Sequence, residues 1–395
     1  MQLPTLRLNK NEDRRINGGH VWIYSNEVDN LLSPLKAFTP GQQAIVEASN
    51  GKKLGIAYVN PQSLICGRMV SRDIQQPLDF SLLVARLQCA LRLRERLFTK
   101  PFYRLVFAES DNLPGLIVDR YGDILVVQMN TAGMDVMTDA IITALHEVLQ
   151  PSAILLRNDS SQRLQEGLIQ EVKCVYGEIP PQVLIEENGA QFHVSLWDGQ
   201  KTGWFYDHRM ARQRLQNYVT GKRVLDVFSY VGGWGIQAAV YGATAVTCID
   251  SSAKALVLLK ANASLNAVED KIQTLQADAF NALSTLIQAK EKFDVVVLDP
   301  PAFIKRRKDN SAGGNAYQRI NEAALQLLNP EGILISASCS MLLSREDFIS
   351  ILRRASVKQQ RELIILEQGH QGPDHPIHPA ILEMEYLKTV ITRVI

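Results

Sequence analysis

From Lys222 to the last residue, strand-like and helix-like stretches alternate, and that alternation restricts the possible folds more than any other feature of the chain. Apolar runs at 223–228, 245–249, 274–277, 293–298, 333–338, 362–366 and 387–395 read as strands, and helical stretches fill most of the intervals. Strands joined through helices pair in parallel, with helices covering both faces of the sheet. The last run follows its predecessor without room for a good crossover helix, so it is expected to run antiparallel. That reversal separates this sheet from those of dinucleotide-dependent dehydrogenases.

At 395 residues the chain is too long for one ordinary core, so two or three domains are expected. Residues 3–72 read as short strands broken by turns at Asn17-Gly18-Gly19, Thr39-Pro40-Gly41, Asn50-Gly51 and Asn60-Pro61. Asn50-Gly51 between two alternating runs predicts a hairpin, and a small β-barrel fits the whole segment. Pro77 precedes a helix over 80–98 with apolar positions at Leu83, Leu87, Ala90, Leu91 and Phe98. A second unit of mixed α+β character follows, with strands at 115–119, 124–129 and 153–157 and a helix over 135–149. Pro180-Pro181 marks its end, and a hairpin across Asn188-Gly189 leads into the alternating region. The expected division is therefore 1–75, 76–180 and 181–395.

Composition narrows the function classes. A formal net charge of +1 is not the footprint of a general nucleic-acid binder, so any such binding is local. Candidate patches are Arg7, Lys10, Arg14 and Arg15; Arg92, Arg96 and Lys100; and Lys305, Arg306, Arg307 and Lys308. The first residues lack the apolar core of a secretory signal and no apolar run reaches membrane-spanning length, so a cytoplasmic location and no membrane partner are expected. Five dispersed cysteines form no C-x-x-C pair, and the loop bearing His370, His375 and His378 lacks helical spacing, so no metal is expected.

A cofactor site is legible at the start of the alternating region. Asp226 ends the first strand, ahead of Phe228, Gly232, Gly233 and Gly235; Asp250 ends the second strand 24 residues later, and Asp278 follows the third. Three acids at three successive carboxyl edges suit a cationic ligand, with Asp250 accepting from ribose hydroxyls and Asp278 meeting an adenine amine. An anionic pyrophosphate would be repelled, so S-adenosylmethionine is expected in preference to NAD. The alternative role for these aspartates is capping of the following helices, a job Ser251 and Ser252 could share.

Two further residues point to the reaction. Cys339 ends the run before it in the half of the sheet where Asp299-Pro300-Pro301 emerges. Methylation at cytosine C5 needs a thiolate to add at C6, and Cys339 is placed for that nucleophilic role. The prolines stiffen the chain beside the base, and Asp299, protonated or sharing a proton with the ring, could bond N3 and the exocyclic amine. Lys305, Arg306 and Arg307 follow where phosphates flanking a flipped nucleotide would lie. Exocyclic-amine methylation is the competing chemistry, but it places an aromatic directly after the prolines, where this chain has Ala302. A non-catalytic RNA-binding assembly factor is a third possibility, against which the intact aspartates speak.

The stretches Gly18–Tyr24, Asp111–Asp119, Gly199–Phe205, Asp226–Gly235, Asp299-Pro300-Pro301 and Ser338-Cys339-Ser340 resemble the bacterial large-ribosomal-subunit methyltransferase I family over essentially the whole chain. The resemblance implies a class I methyltransferase domain preceded by a PUA-like RNA-binding domain and an α+β linking domain, with 5-methylcytosine made in 23S ribosomal RNA. It also implies that Cys339 is the nucleophile and that Lys201, Thr202 and Gly203 form part of the cofactor-site wall. Wider RNA cytosine-5 methyltransferases carry a second cysteine where this chain has Pro301. The resemblance leaves a homodimer open.

Overall fold

The computed structural model describes residues 3–395, which divide into two compact units. The first comprises residues up to Pro181 together with Ser195–Trp204 and Pro373–Leu382, and the second comprises Gln182–Val194, Phe205–Gly372 and Glu383–Ile395. Among the described residues no helix is long and apolar enough to cross a membrane.

The first unit holds two five-stranded sheets. Strands β1 (Thr5–Arg7), β2 (Trp22–Ile23), β3 (Gln42–Glu47), β4 (Lys53–Val59) and β5 (Gly67–Ser71) pair in the order β1-β3-β4-β5-β2. Beyond the two edge strands, Leu8 and Val28 form an antiparallel bridge, and Asn9 N–H donates to the Glu27 carbonyl at 2.8 Å. These bonds draw the edges together, curling the sheet toward the expected barrel around Leu6, Ile23, Val46 and Ala57. The second sheet runs β10-β9-β8-β7-β6, from β6 (Phe102–Phe107), β7 (Leu116–Tyr121), β8 (Ile124–Met129), β9 (Ala153–Asn158) and β10 (Glu171–Tyr176). Its core takes one face each of the helices Phe80–Leu97 and Thr138–Leu149, as their apolar spacing predicts.

A buried polar network joins the two sheets. Tyr58 Oη donates to the Pro114 carbonyl at 2.8 Å, Trp22 Nε1 to Glu109 at 2.7 Å, and Arg68 faces both Glu109 at 3.5 Å and Glu166 at 3.3 Å. Tyr58 also packs directly on Gly133, where a Cβ would lie 2.2 Å from the ring. Gly133→Ala is therefore expected to destabilise the protein by about 1–3 kcal/mol, the usual cost of overpacking. The readout is a lower urea midpoint at unchanged m; an unchanged midpoint would mean that Tyr58 is not packed there.

The excursion 373–382 is fixed to this unit through Asp374, which accepts from Arg104 N–H at 3.1 Å and whose carbonyl accepts from Arg94 at 3.0 Å. His375, one of the loop histidines, is engaged with Asp374 at 3.0 Å and with the Phe107 ring.

The second unit opens with the antiparallel hairpin of β11 (Val183–Glu187) and β12 (Ala190–Val194). Its main sheet contains β13 (Arg223–Val227), β14 (Ala245–Asp250), β15 (Ile272–Gln276), β16 (Phe293–Leu298), β17 (Leu328–Ser338), β18 (Leu363–Gly369) and β19 (Lys388–Val394). The order is β15-β14-β13-β16-β17-β19-β18, parallel except for β19, which is antiparallel to both neighbours. This is the doubly wound sheet with a reversed last strand that the alternation predicts. The chain reverses strand order beside β13, so the carboxyl ends of β13, β14 and β16 border one crevice, the place where such sheets take ligands. β17 begins at Leu328, five residues before the run 333–338, with Pro330 and left-handed Glu331 accommodated where its register against β16 shifts.

Candidate active site

The turn between β13 and the helix Gly235–Val240 is backbone-constrained. Phe228 and Tyr230 have φ of 68° and 49°, a conformation that costs a non-glycine residue on the order of 1–2 kcal/mol. It is held by hydrogen bonds from Phe228 and Ser229 N–H to the Ile249 carbonyl, at 3.0 and 2.9 Å, and from Tyr230 N–H to Asp250 Oδ2 at 2.9 Å. Gly232, at φ 94°, has no room for a Cβ, which would meet Ile236 at 2.5 Å. At Gly235 a Cβ would lie 2.5 Å from Cys248 Sγ and 3.0 Å from Asp226 Oδ2. Gly235 thus lets the start of the helix pack flat against β13 and β14, while Gly232 lets the turn close on Ile236 and Leu259.

Asp226 is fully buried, and its Oδ2 accepts from Gly235 N–H at 2.8 Å. Its Oδ1 has no hydrogen-bond partner among the described residues. Desolvation is the main cause that pushes its carboxyl up to about 8; the Gly235 bond opposes the rise, and Asp299 and Asp250 add to it. Asp250 is committed on both oxygens, to Tyr230 N–H and, at 2.8 Å, to Ser252 N–H. Asp278 caps the helix Ala279–Gln288, accepting from Phe280 and Asn281 N–H at 3.0 and 3.2 Å. The capping role weighed for these aspartates is thus real at Asp278, while Asp250 braces the strained turn.

Asp250 and Asp299 lie near enough to Asp226 to oppose its ionisation, and its buried Oδ1 is unsatisfied. A ligand carrying a sulfonium and an ammonium would relieve this arrangement, whereas a pyrophosphate would aggravate it. The residues therefore fit S-adenosylmethionine. Lys201, Thr202 and Gly203 lie in the first unit, where the Thr202 hydroxyl donates to Asp119 and its carbonyl accepts from Tyr121 Oη at 3.1 Å.

Asp299 follows β16 directly. Its Oδ2 accepts from Trp234 Nε1 at 2.9 Å, and its Oδ1 lies 3.4 Å from His208 Nε2, with the two rings packed edge to face. On the neighbouring strand Cys339 is half-buried between two fully buried serines. Ser338 Oγ donates to Tyr317 Oη at 2.9 Å, and Tyr317 Oη and Ser340 Oγ are also 2.9 Å apart. Ser340 Oγ accepts from Ile304 N–H at 3.2 Å, so one hydroxyl fastens the Cys339 turn to the loop that follows Asp299-Pro300-Pro301. Lys388, buried on β19, donates from Nζ to the Ser340 carbonyl at 2.7 Å.

Burial pushes Cys66 up to about 12 and Cys248 well above the ordinary thiol value, so neither can supply thiolate near neutral pH. Phe303 is packed on Tyr317 with centroids 4.8 Å apart. Lys305, Arg306, Arg307 and Lys308 are exposed at the entry to the helix Asn310–Leu327, and Arg306 lies 3.6 Å from Asp309.

His208, Tyr317 and Lys388 were not found by sequence reasoning. His208 and Tyr317 join the site only through the fold. Lys388 had only a weak signal, a cation inside the strand-like run 387–395 that also holds Arg393.

A family profile for S-adenosylmethionine-dependent methyltransferases matches residues 140–381, and one for PUA-like domains matches residues 6–72. A protein named ribosomal RNA large subunit methyltransferase I from Erwinia tasmaniensis is 36% identical over 99% of both chains, and one of the same name from Tolumonas auensis is 37% identical over the same share. Among solved structures, one named as a SAM-dependent methyltransferase from Streptococcus mutans superposes with a TM-score of 0.83 at 22% identity, covering 99% of this chain and 100% of that one. A methyltransferase complexed with SAH superposes with a TM-score of 0.85 at 23% identity and the same coverage. These likenesses show a shared fold. On its matched profile and its full-length relatives, the chain belongs to the S-adenosylmethionine-dependent methyltransferases and, within them, to the ribosomal RNA large subunit methyltransferase I family.

Proposed function

We propose that this protein methylates C5 of a cytosine in 23S ribosomal RNA through a covalent bond between Cys339 and C6. The observation that carries the reading is the half-buried Cys339 turn, fastened through Ser340 to the loop after Asp299 at the carboxyl ends of adjacent parallel strands. The name shared by its relatives supports large-subunit ribosomal RNA as substrate.

Bound S-adenosylmethionine supplies a sulfonium methyl, an electrophile that an unactivated C5 does not attack. The Cys339 thiolate pair forms the S–C6 bond, and the C5–C6 π pair becomes available at C5. Once C5 carries the methyl group, loss of its proton to a base returns electrons that expel the thiolate and restore the ring. Asp299, fixed by Trp234 and His208, is assigned to the N3 and amine edge of the ring, where a shared proton favours addition at C6. Asp226, Asp250, Asp278, Phe228, Gly232 and Gly235 are assigned to the cofactor. The packing of Phe303 on Tyr317 counts against exocyclic-amine methylation, because that ring is already engaged.

In this reading the segments 1–75, 76–180 and 181–395 serve as RNA-binding, linking and transfer domains. Lys305, Arg306 and Arg307 hold phosphates flanking the target. Lys305→Glu with Arg307→Glu is then expected to raise the KM for RNA on the order of tenfold at unchanged kcat, and to reduce the salt slope of RNA binding by about one per lost phosphate contact. An unchanged KM and slope would remove this loop from the RNA interface. The central test is 5-methylcytosine formation on ribosomal RNA by the purified protein, read by nucleoside mass spectrometry; methyl on a different atom overturns the reading.

A further inference from the structure

Lys388 is the least explained charge in the second unit. Its side chain is 3% exposed and donates to one backbone carbonyl, that of Ser340. Among the described residues no carboxylate lies within ion-pair distance of Nζ. A buried ammonium with a single neutral acceptor is costly, so its retention calls for an anion nearby. The groups that act on it electrostatically are Cys339, Arg345 and Glu385. Glu385 is taken, paired with Arg345 at 3.0 Å, and Arg345 also donates to the Gly369 carbonyl at 3.1 Å. Cys339 is what remains.

Topology explains why the lysine sits there. Lys388 is the first residue of the reversed strand β19 and stands directly opposite Ser338, so its stem runs along the face of β17 that ends in the Cys339 turn. Burial pulls its ammonium down to about 8, with the Cys339 charge opposing that fall, so at neutral pH it remains mostly cationic beside the turn.

We propose that Lys388 is a positioning residue that holds the Cys339 turn through the Ser340 carbonyl and stabilises the Cys339 thiolate by its charge. The thiol proton leaves to water and its electron pair stays on sulfur, ready for addition. This rests on Cys339 being the nucleophile, but its test does not depend on methylation.

The test follows iodoacetamide alkylation of Cys339 by peptide mass spectrometry between pH 6 and 10, in the full-length protein. Wild-type Cys339 is expected to titrate below the ordinary thiol value of about 8.5. Lys388→Met should raise that midpoint by about one unit, cutting the alkylation rate at pH 7 roughly tenfold, while Lys388→Arg keeps it near wild type. A wild-type midpoint at or above about 8.5, or a folded Lys388→Met variant with the wild-type midpoint, overturns the proposal. If Lys388→Met does not fold, the wild-type midpoint and the Lys388→Arg profile decide. Failure of the nucleophile reading shows separately, as methylation that survives removal of Cys339.

Discussion

Alanine in place of Cys339 is expected to lower methyl transfer by on the order of 10⁴-fold or more while leaving S-adenosylmethionine affinity within about twofold. The asymmetry follows from the architecture. The thiol is half-buried at the end of β17, whereas the hydroxyls that build the turn belong to Ser338, Tyr317 and Ser340. Removing one sulfur leaves those bonds, and the anchor from Lys388, in place. The aspartates near the glycine turn sit on other strands and keep their partners. Nucleoside mass spectrometry reads the first effect and calorimetric titration the second. RNA bearing 5-fluorocytosine at the target adds a direct view: it should form a denaturation-resistant adduct with wild type, because fluorine cannot leave C5 as a proton does, and none with the alanine variant. Turnover that survives the substitution would move the chemistry to an exocyclic amine.

Much of this site was legible because class I sheets place chemistry at strand ends, and strand ends can be read from where apolar runs stop. The candidate positions Asp250, Asp299 and Cys339 each follow such a stop, and Asp226 lies next to one. The reversal of β19 was legible from a missing crossover. Roles were harder to read than positions. Asp250 and Asp278 each follow a strand, yet Asp250 braces a strained turn and Asp278 caps a helix, and only backbone geometry distinguishes these jobs. Strands β6 and β10 escape the sequence reading: β6 follows Pro101 directly and opens on the aromatic pair Phe102-Tyr103, and β10 is exposed along much of its length, so neither shows a clean alternation. His208 and Tyr317 lie 91 and 22 residues from the groups they serve, Asp299 and Cys339, and no local pattern could pair them.

The ligand-free protein is expected to lose stability as pH rises from about 4 to about 8, and Asp226 is the reason. Its carboxyl moves from an ordinary value of 3.8 to about 8 on folding, chiefly because burial disfavours the charge. Between those values the folded protein keeps a proton that the unfolded chain has released, so the contribution is fully present below the lower value and is lost as pH passes the upper one. At about 1.4 kcal/mol per unit, the shift amounts to at most about 6 kcal/mol. Asp226→Asn keeps an acceptor for Gly235 N–H but cannot titrate, so its urea midpoint should stay flat across the window in which wild type falls. Parallel pH profiles for the two proteins would sink the assignment. Saturating S-adenosylmethionine should flatten the wild-type profile as well, because a cation favours the ionised carboxylate, and the alkaline side is where ligand stabilisation should be largest. The same burial that disfavours the Asp226 charge thus makes the carboxylates selective for a positively charged methyl donor.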